Sequence, residues 1–294
     1  MSEAAPPAPR FAPLQLLLAP ANLAILVGFG AMAIPTLAGL GMQVWSTEAG
    51  AHGPIVLAVG AWLLVRGLVE TRAPKRPGSL TLVLTGLLFA LALYVFGRAF
   101  DFISLEVAGL YGAAVVLLYS RIGPKALASV VFPIAYLAFL VPPPGWLMDD
   151  ITAPLKQFVS WAAAVIVSAA GIPISQEGVT LYVGSYQLLV EDACSGMNSM
   201  IGLIAVSLLY IYLLRASTLR YAALLAAMTI PIAVLGNLIR IIVLILLTFF
   251  FGDEVAQGFL HEAAGLFLFA VALVLVFSLD MLLWRIIPKS WKQT

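Results

Sequence analysis

The sequence predicts an all-α polytopic membrane protein, with about eight transmembrane helices, an extracytoplasmic interfacial helix and a short β-hairpin. Three observations carry that prediction. Of 294 residues, 63% are hydrophobic and only 10% charged, with a mean hydropathy of +1.08; a soluble domain of this size needs far more charge to cover its surface. Apolar runs near bilayer length occur at roughly 22–44, 54–70, 80–97, 102–120, 125–141, 195–214, 218–240 and 263–284. The basic residues, finally, fall where one topology gathers almost all of them on a single side.

Residues 1–13, rich in proline and alanine, form a flexible cytoplasmic tail. Residues 14–287 follow as a single membrane domain, and 288–294 as a basic cytoplasmic tail. The first apolar run is too long for a signal-peptide core and lacks a convincing cleavage site, so it is a retained span. With the N-terminus inside, the first five spans keep Arg10, Arg66, Arg72, Lys75, Arg76, Arg121 and Lys125 inside. Pro142-Pro143-Pro144-Gly145 stops the fifth helix, since proline lacks an amide donor.

The run 154–171 then decides the topology. If it crossed back, Arg215, Arg220, Arg285, Lys289 and Lys292 would end outside. If it lies in the outer interface, they stay inside with the rest, and only Arg98, Lys156 and Arg240 remain as outer cations. Lys156, Ser160, Ala164 and Ser168 recur every four residues opposite Phe158, Val165 and Ile166, the pattern of an interfacial helix. Both termini are then cytoplasmic, and 142–194 is the largest extracytoplasmic segment. Within it, Val179 to Val183 and Tyr186 to Val190 flank Gly184-Ser185, which predicts a hairpin with a two-residue turn.

Composition also excludes several functions. A net charge of +1 gives no reason to expect nucleic acid as a partner; membrane lipids are the expected surroundings. The single cysteine, Cys194, rules out an internal disulfide and a multi-cysteine zinc site, and two histidines do not make a His-rich metal centre. No metal or cofactor is expected.

In so apolar a chain the ionisable residues near the membrane are the informative ones. Cys194 opens the span Ser195-Gly196-Met197-Asn198, where free amides and the helix dipole favour a thiolate. Glu191 and Asp192 oppose this, so a nearby cation is needed. The alternative is a small buried hydrophobe, with Ser195, Gly196 and Asn198 serving helix packing. Arg240 supplies a cation: counted from Thr218 at ~1.5 Å per residue, it reaches the outer boundary, with Asn237 on the same face. A snorkelling guanidinium is its structural alternative. The apolar stretch 241–251 must then bend, lie along the interface or fold back. His261 opens the last span and, with an ordinary pKa near ~6.5, can exchange protons around neutrality. Three spans thus bring a nucleophile, a cation and a general base to one depth.

Ala193-Cys194-Ser195-Gly196, Asn237-Leu238-Ile239-Arg240-Ile241, and His261 followed by Gly265 resemble the three signature motifs of the bacterial exosortases, which are related to archaeosortases. Ala51-His52-Gly53 is similar to the family's Ser-His-Gly, and Gly171-Ile172-Pro173 with Glu177-Gly178 also fits. Ala51 replaces serine, and Met197-Asn198 stands where many relatives have Leu-Arg. The resemblance implies a cysteine protease or transpeptidase of the bacterial cytoplasmic membrane. Its partners would be exported proteins ending in a short motif such as Pro-Glu-Pro, a transmembrane helix and a basic tail. It implies Cys194 as nucleophile, His261 as general acid/base and Arg240 as stabiliser of the thiolate or oxyanion, at the extracytoplasmic face. His52, Ser195, Gly196, Asn198, Asn237 and Glu191 are supporting or substrate-binding candidates. The competing class is a non-catalytic transporter or channel subunit with Arg240 and His261 in a polar pathway; it predicts no need for a thiol.

Overall fold

A computed structural model describes residues 20–47, 50–189, 195–214, 219–252 and 259–286. The two predicted tails, Glu191 and Cys194 lie outside the described residues. The helices are α1 (Pro20–Gln43), α2 (Gly53–Glu70), α3 (Leu80–Ala99), α4 (Ile103–Ser129), α5 (Val131–Leu137, continued by a 3₁₀ turn to Leu140), α6 (Gly145–Ala169), α7 (Ser195–Leu214), α8 (Leu219–Phe251) and α9 (Phe259–Ile286). Strands β1 (Ile174–Glu177), β2 (Thr180–Val183) and β3 (Tyr186–Leu189) lie between α6 and α7. Among the described residues six helices are long and apolar enough to cross a membrane: α1 to α4, α6 and α8. The chain is thus a polytopic helical membrane protein. Its elements divide into two compact units.

The first unit contains α1, α3 and α4. Its interior holds Glu106, which is buried. Thr36 donates to Glu106 Oε1 at 2.6 Å and Arg98 at 3.2 Å, so one carboxylate ties α1, α3 and α4 together. A lone carboxylate in this setting is costly, and the two donors offset the lost hydration. α4 is interrupted at Gly123, where φ is +71°, immediately before Pro124. The proline lacks the amide that would carry the helix through.

The second unit contains α2 and everything from residue 130 onward. The run expected to form a fifth span at 125–141 is broken. Its start belongs to α4, Val130 is non-helical, and α5 begins afresh with Pro133 in its first turn, where the missing donor costs nothing. Val56 on α2, Tyr136 on α5 and Ala205 on α7 form one buried cluster, beside which Phe132 stacks on Tyr212 at 3.8 Å.

The expected hairpin is present, in a sheet with one strand more than predicted. β1, β2 and β3 are antiparallel in that order. Gly178-Val179 and Gly184-Ser185 turn the chain, each glycine holding φ near +60° at the first turn position, as a type II′ turn requires. Leu181 and Val183 point inward and are fully buried. They meet Val159, Ala163 and Val167 of α6 and Ile241 and Ile245 of α8 in the main apolar core of this unit.

The helix expected at 154–171 is present and starts earlier, at Gly145, so that it has 25 residues. Its small face, with Ser160 and Ala163, is buried, while Phe158, Trp161, Val165 and Ile166 point outward. The outward face is the apolar one, the arrangement lipid favours. The stretch 241–251 stays helical and does not fold back. It continues α8 as one helix of 33 residues, about 50 Å long. α6 and β2 pack on its buried face. The hydroxyl of Tyr186, beside the hairpin turn, lies 3.5 Å from where a Cβ at Gly252 would sit, which sets the hairpin against the end of α8.

Candidate active site

The three helices associated with the sequence-predicted site residues pack against one another pairwise: α7 with α8, α8 with α9, and α7 with α9. Their register follows from one buried carboxylate. Asp280 on α9 is fully buried and accepts hydrogen bonds from Tyr210 of α7 at 2.8 Å and Tyr221 of α8 at 2.5 Å. Tyr210 also packs on Phe277, and Tyr221 meets Trp284 edge-on. Residues 210, 221 and 280 therefore share one level.

Counting from that level gives the far end. Ser195, the first residue of α7, is fifteen residues away, about 22 Å at 1.5 Å per residue. Arg240 on α8 and His261 on α9 are each nineteen residues away, about 28 Å. The short connections between these helices make α8 antiparallel to α7 and α9, so all three counts run in the same direction. The helical start of α7, the Arg240 turn of α8 and the first turn of α9 thus come to one end of the bundle. The sheet packs at that end too, beside residues 241–252 of α8.

Arg240 and Asn237 are 4% and 5% exposed, three residues apart on a buried face of α8. A guanidinium that merely snorkelled would be exposed, so that alternative fails for Arg240. Ser195, Gly196 and Asn198 lie in the first turn of α7, and His261 in the first turn of α9; their backbones are helical, and their side chains are outside the description.

His52 is placed more closely than sequence reasoning could place it. Its carbonyl accepts the amide of Val56 at 3.0 Å, so it stands at the head of α2. Its imidazole packs over Gly202 of α7: a Cβ built there would be 3.3 Å from His52 Cβ and 3.4 Å from Nδ1. Gly202 lies seven residues along α7 from Ser195, about 10 Å. With Val56 and Ala205 in one cluster further down, α2 runs parallel to α7 and brings His52 toward the same end of the bundle.

Asp280, Tyr210, Tyr221 and Gly202 were not among the residues singled out from sequence. The signal of Asp280 was an acid within an apolar run, which marks a buried partner. Gly202 gave no signal, because one glycine in a membrane helix is ordinary. Among the described residues no group of His, Cys, Asp and Glu is arranged to hold a metal ion.

No curated protein and no solved structure matches the chain. The family model for transmembrane exosortases matches residues 44–278, a stretch that takes in α2, the sheet, α7, α8 and most of α9. By that match, the chain belongs to the transmembrane exosortase family.

Proposed function

We propose that the protein is a membrane cysteine peptidase or transpeptidase, acting at the extracytoplasmic face of the bacterial cytoplasmic membrane. Its substrates are exported proteins that carry a C-terminal motif, a transmembrane helix and a basic tail. The observation that carries this reading is the common level, set by the Asp280 clasp, of the start of α7, Arg240 and His261.

The chemistry follows from residue types. The Cys194 thiolate attacks the carbonyl carbon of the scissile peptide, giving a tetrahedral oxyanion. Arg240, a permanent cation buried from solvent, stabilises that charge, where exclusion of water strengthens the interaction. His261 protonates the departing amine, the C–N bond breaks, and a thioester to Cys194 remains. An acceptor amine or water, deprotonated by His261, then attacks the thioester and releases the thiolate. Both termini are cytoplasmic in this arrangement, as the basic loops require.

The test is co-expression of a tripartite sorting-signal substrate with wild type, Cys194→Ala, His261→Ala and Arg240→Ala at matched membrane levels. Shortening by wild type and its loss in Cys194→Ala is the expected result. Processing by Cys194→Ala equal to wild type would remove the nucleophile and the mechanism with it.

A further inference from the structure

Ahead of α3, residues 71–79, Thr-Arg-Ala-Pro-Lys-Arg-Pro-Gly-Ser, run as an extended strap antiparallel to the end of α4. Four contacts pin it. Thr71 and Ser129 share a hydroxyl–hydroxyl bond of 2.8 Å, and the amides of Arg76 and Gly78 donate to the carbonyls of Ile122 and Ser120 at 3.3 Å each. The amide of Ser79 donates to the Tyr119 hydroxyl at 3.1 Å. The α4 kink is part of the fit. A Cβ at Gly123, where φ is +71°, would lie 2.1 Å from the Arg76 carbonyl oxygen. Only glycine allows that approach.

This geometry collects five exposed cations on one surface: Arg72, Lys75 and Arg76 from the strap, Arg121 and Lys125 from either side of the kink. Arg121 further donates to the side-chain Oδ1 of Asn22 at 2.5 Å. No Asp or Glu occurs in 71–79 or in 107–129. A loop that served only to set topology needs the charges but no fixed backbone. Directly after the strap, Leu80, Leu84 and Leu88 form an exposed apolar stripe along α3, one turn apart.

We infer that the strap and kink form a binding site for the phosphate of an anionic phospholipid, with its acyl chains lying along the Leu80–Leu84–Leu88 stripe. The cations supply the headgroup contacts, and the fixed backbone holds them in place; the stripe selects a lipid over a free anion. The site is independent of the peptidase chemistry.

The experiment is lipid retention by the full-length chain in detergent, read by native mass spectrometry. The probes are phosphatidylglycerol and phosphatidylcholine with identical acyl chains. Wild type should retain phosphatidylglycerol preferentially, and inorganic phosphate should not displace it. Arg76→Gln and Lys125→Gln should each weaken the preference, on the order of fivefold per cation removed. The variant with all five cations changed to Gln should lose it. Arg66→Gln, outside the strap, should leave it unchanged. Equal retention of the two lipids by wild type would overturn the proposal, as would an undiminished preference in both single variants. Displacement by inorganic phosphate alone would mark a free-anion site and overturn the lipid assignment. Should the five-fold variant fail to insert, the two single variants decide the matter.

Discussion

The hydroxyl of Tyr221 donates to the carboxylate of Asp280 across 2.5 Å, joining α8 to α9 at the end of the bundle opposite Arg240. With Tyr210 completing the clasp from α7, one carboxylate holds all three helices at a common level. Removing a hydrogen bond to a charged group typically costs about 1.5–3 kcal/mol. Tyr221→Phe should lower the thermal stability of the purified protein accordingly. The double variant Tyr221→Phe with Asp280→Asn should cost less than the sum of the two, since both break one interaction. Strict additivity in the unfolding measurements would show that the pair is not coupled.

Gly202→Ala tests the packing of His52 on α7. The added methyl would come within 3.3 Å of His52 Cβ, so the imidazole or the helix must shift, at about 1–3 kcal/mol. Reduced stability and slower substrate processing are expected. Introducing His52→Ala into the same chain removes the ring but keeps the Cβ, so it should recover part of the stability but not the processing if the imidazole serves the site. Full recovery of processing would leave His52 a packing residue only.

For Arg240, a comparison of Lys, Met and Ala replacements separates charge from bulk. Loss of an oxyanion-stabilising group costs roughly 10²–10³-fold in rate, so Ala and Met should both fall by that order. Lys, which keeps the charge without the planar fork, should retain part of the activity. If Met processes substrate as well as wild type, Arg240 has no electrostatic part in the reaction.

Because Cys194 is the chain's single cysteine, thiol labelling reports on it without background. A membrane-impermeant maleimide applied to intact spheroplasts should label it and stop processing together. Labelling that requires membrane disruption would contradict the extracytoplasmic assignment of the site.

Gly123→Ala should destabilise the protein more than an average surface substitution. It forces a side chain into positive φ, typically about 1–3 kcal/mol, and adds a clash with the Arg76 carbonyl. Ala126→Gly, on the same buried stretch, involves neither effect and serves as the comparison. Similar melting temperatures for the two would show that the strap yields easily.

Much of the architecture was legible in the sequence because hydropathy and helix length are local quantities. The runs at 54–70, 80–97 and 195–214 became helices with bounds differing by two residues at most. The hairpin was readable from Gly184-Ser185 between β-branched and aromatic residues; β1 was missed because Ser175, Gln176 and Glu177 carry no apolar alternation. The breaks in the fifth run were not legible because apolarity says nothing of the interruptions that Gly123-Pro124 and Val130 impose on the backbone.

What the sequence determined by itself is therefore which segments belong in lipid, where most helices start and stop, and the motif residues from which a thiol chemistry could be argued. Each depends on a residue and its near neighbours. Tertiary structure decided that α8 runs unbroken to Phe251, that His52 rests on Gly202, that Asp280 sets the register of three helices, and that five cations converge on a strap. The physical reason is the same in each case. The far end of a long apolar helix is covered, or a buried carboxylate or a close backbone approach becomes tolerable, only through a partner distant in sequence, and hydropathy records a residue's solvent without naming its neighbour.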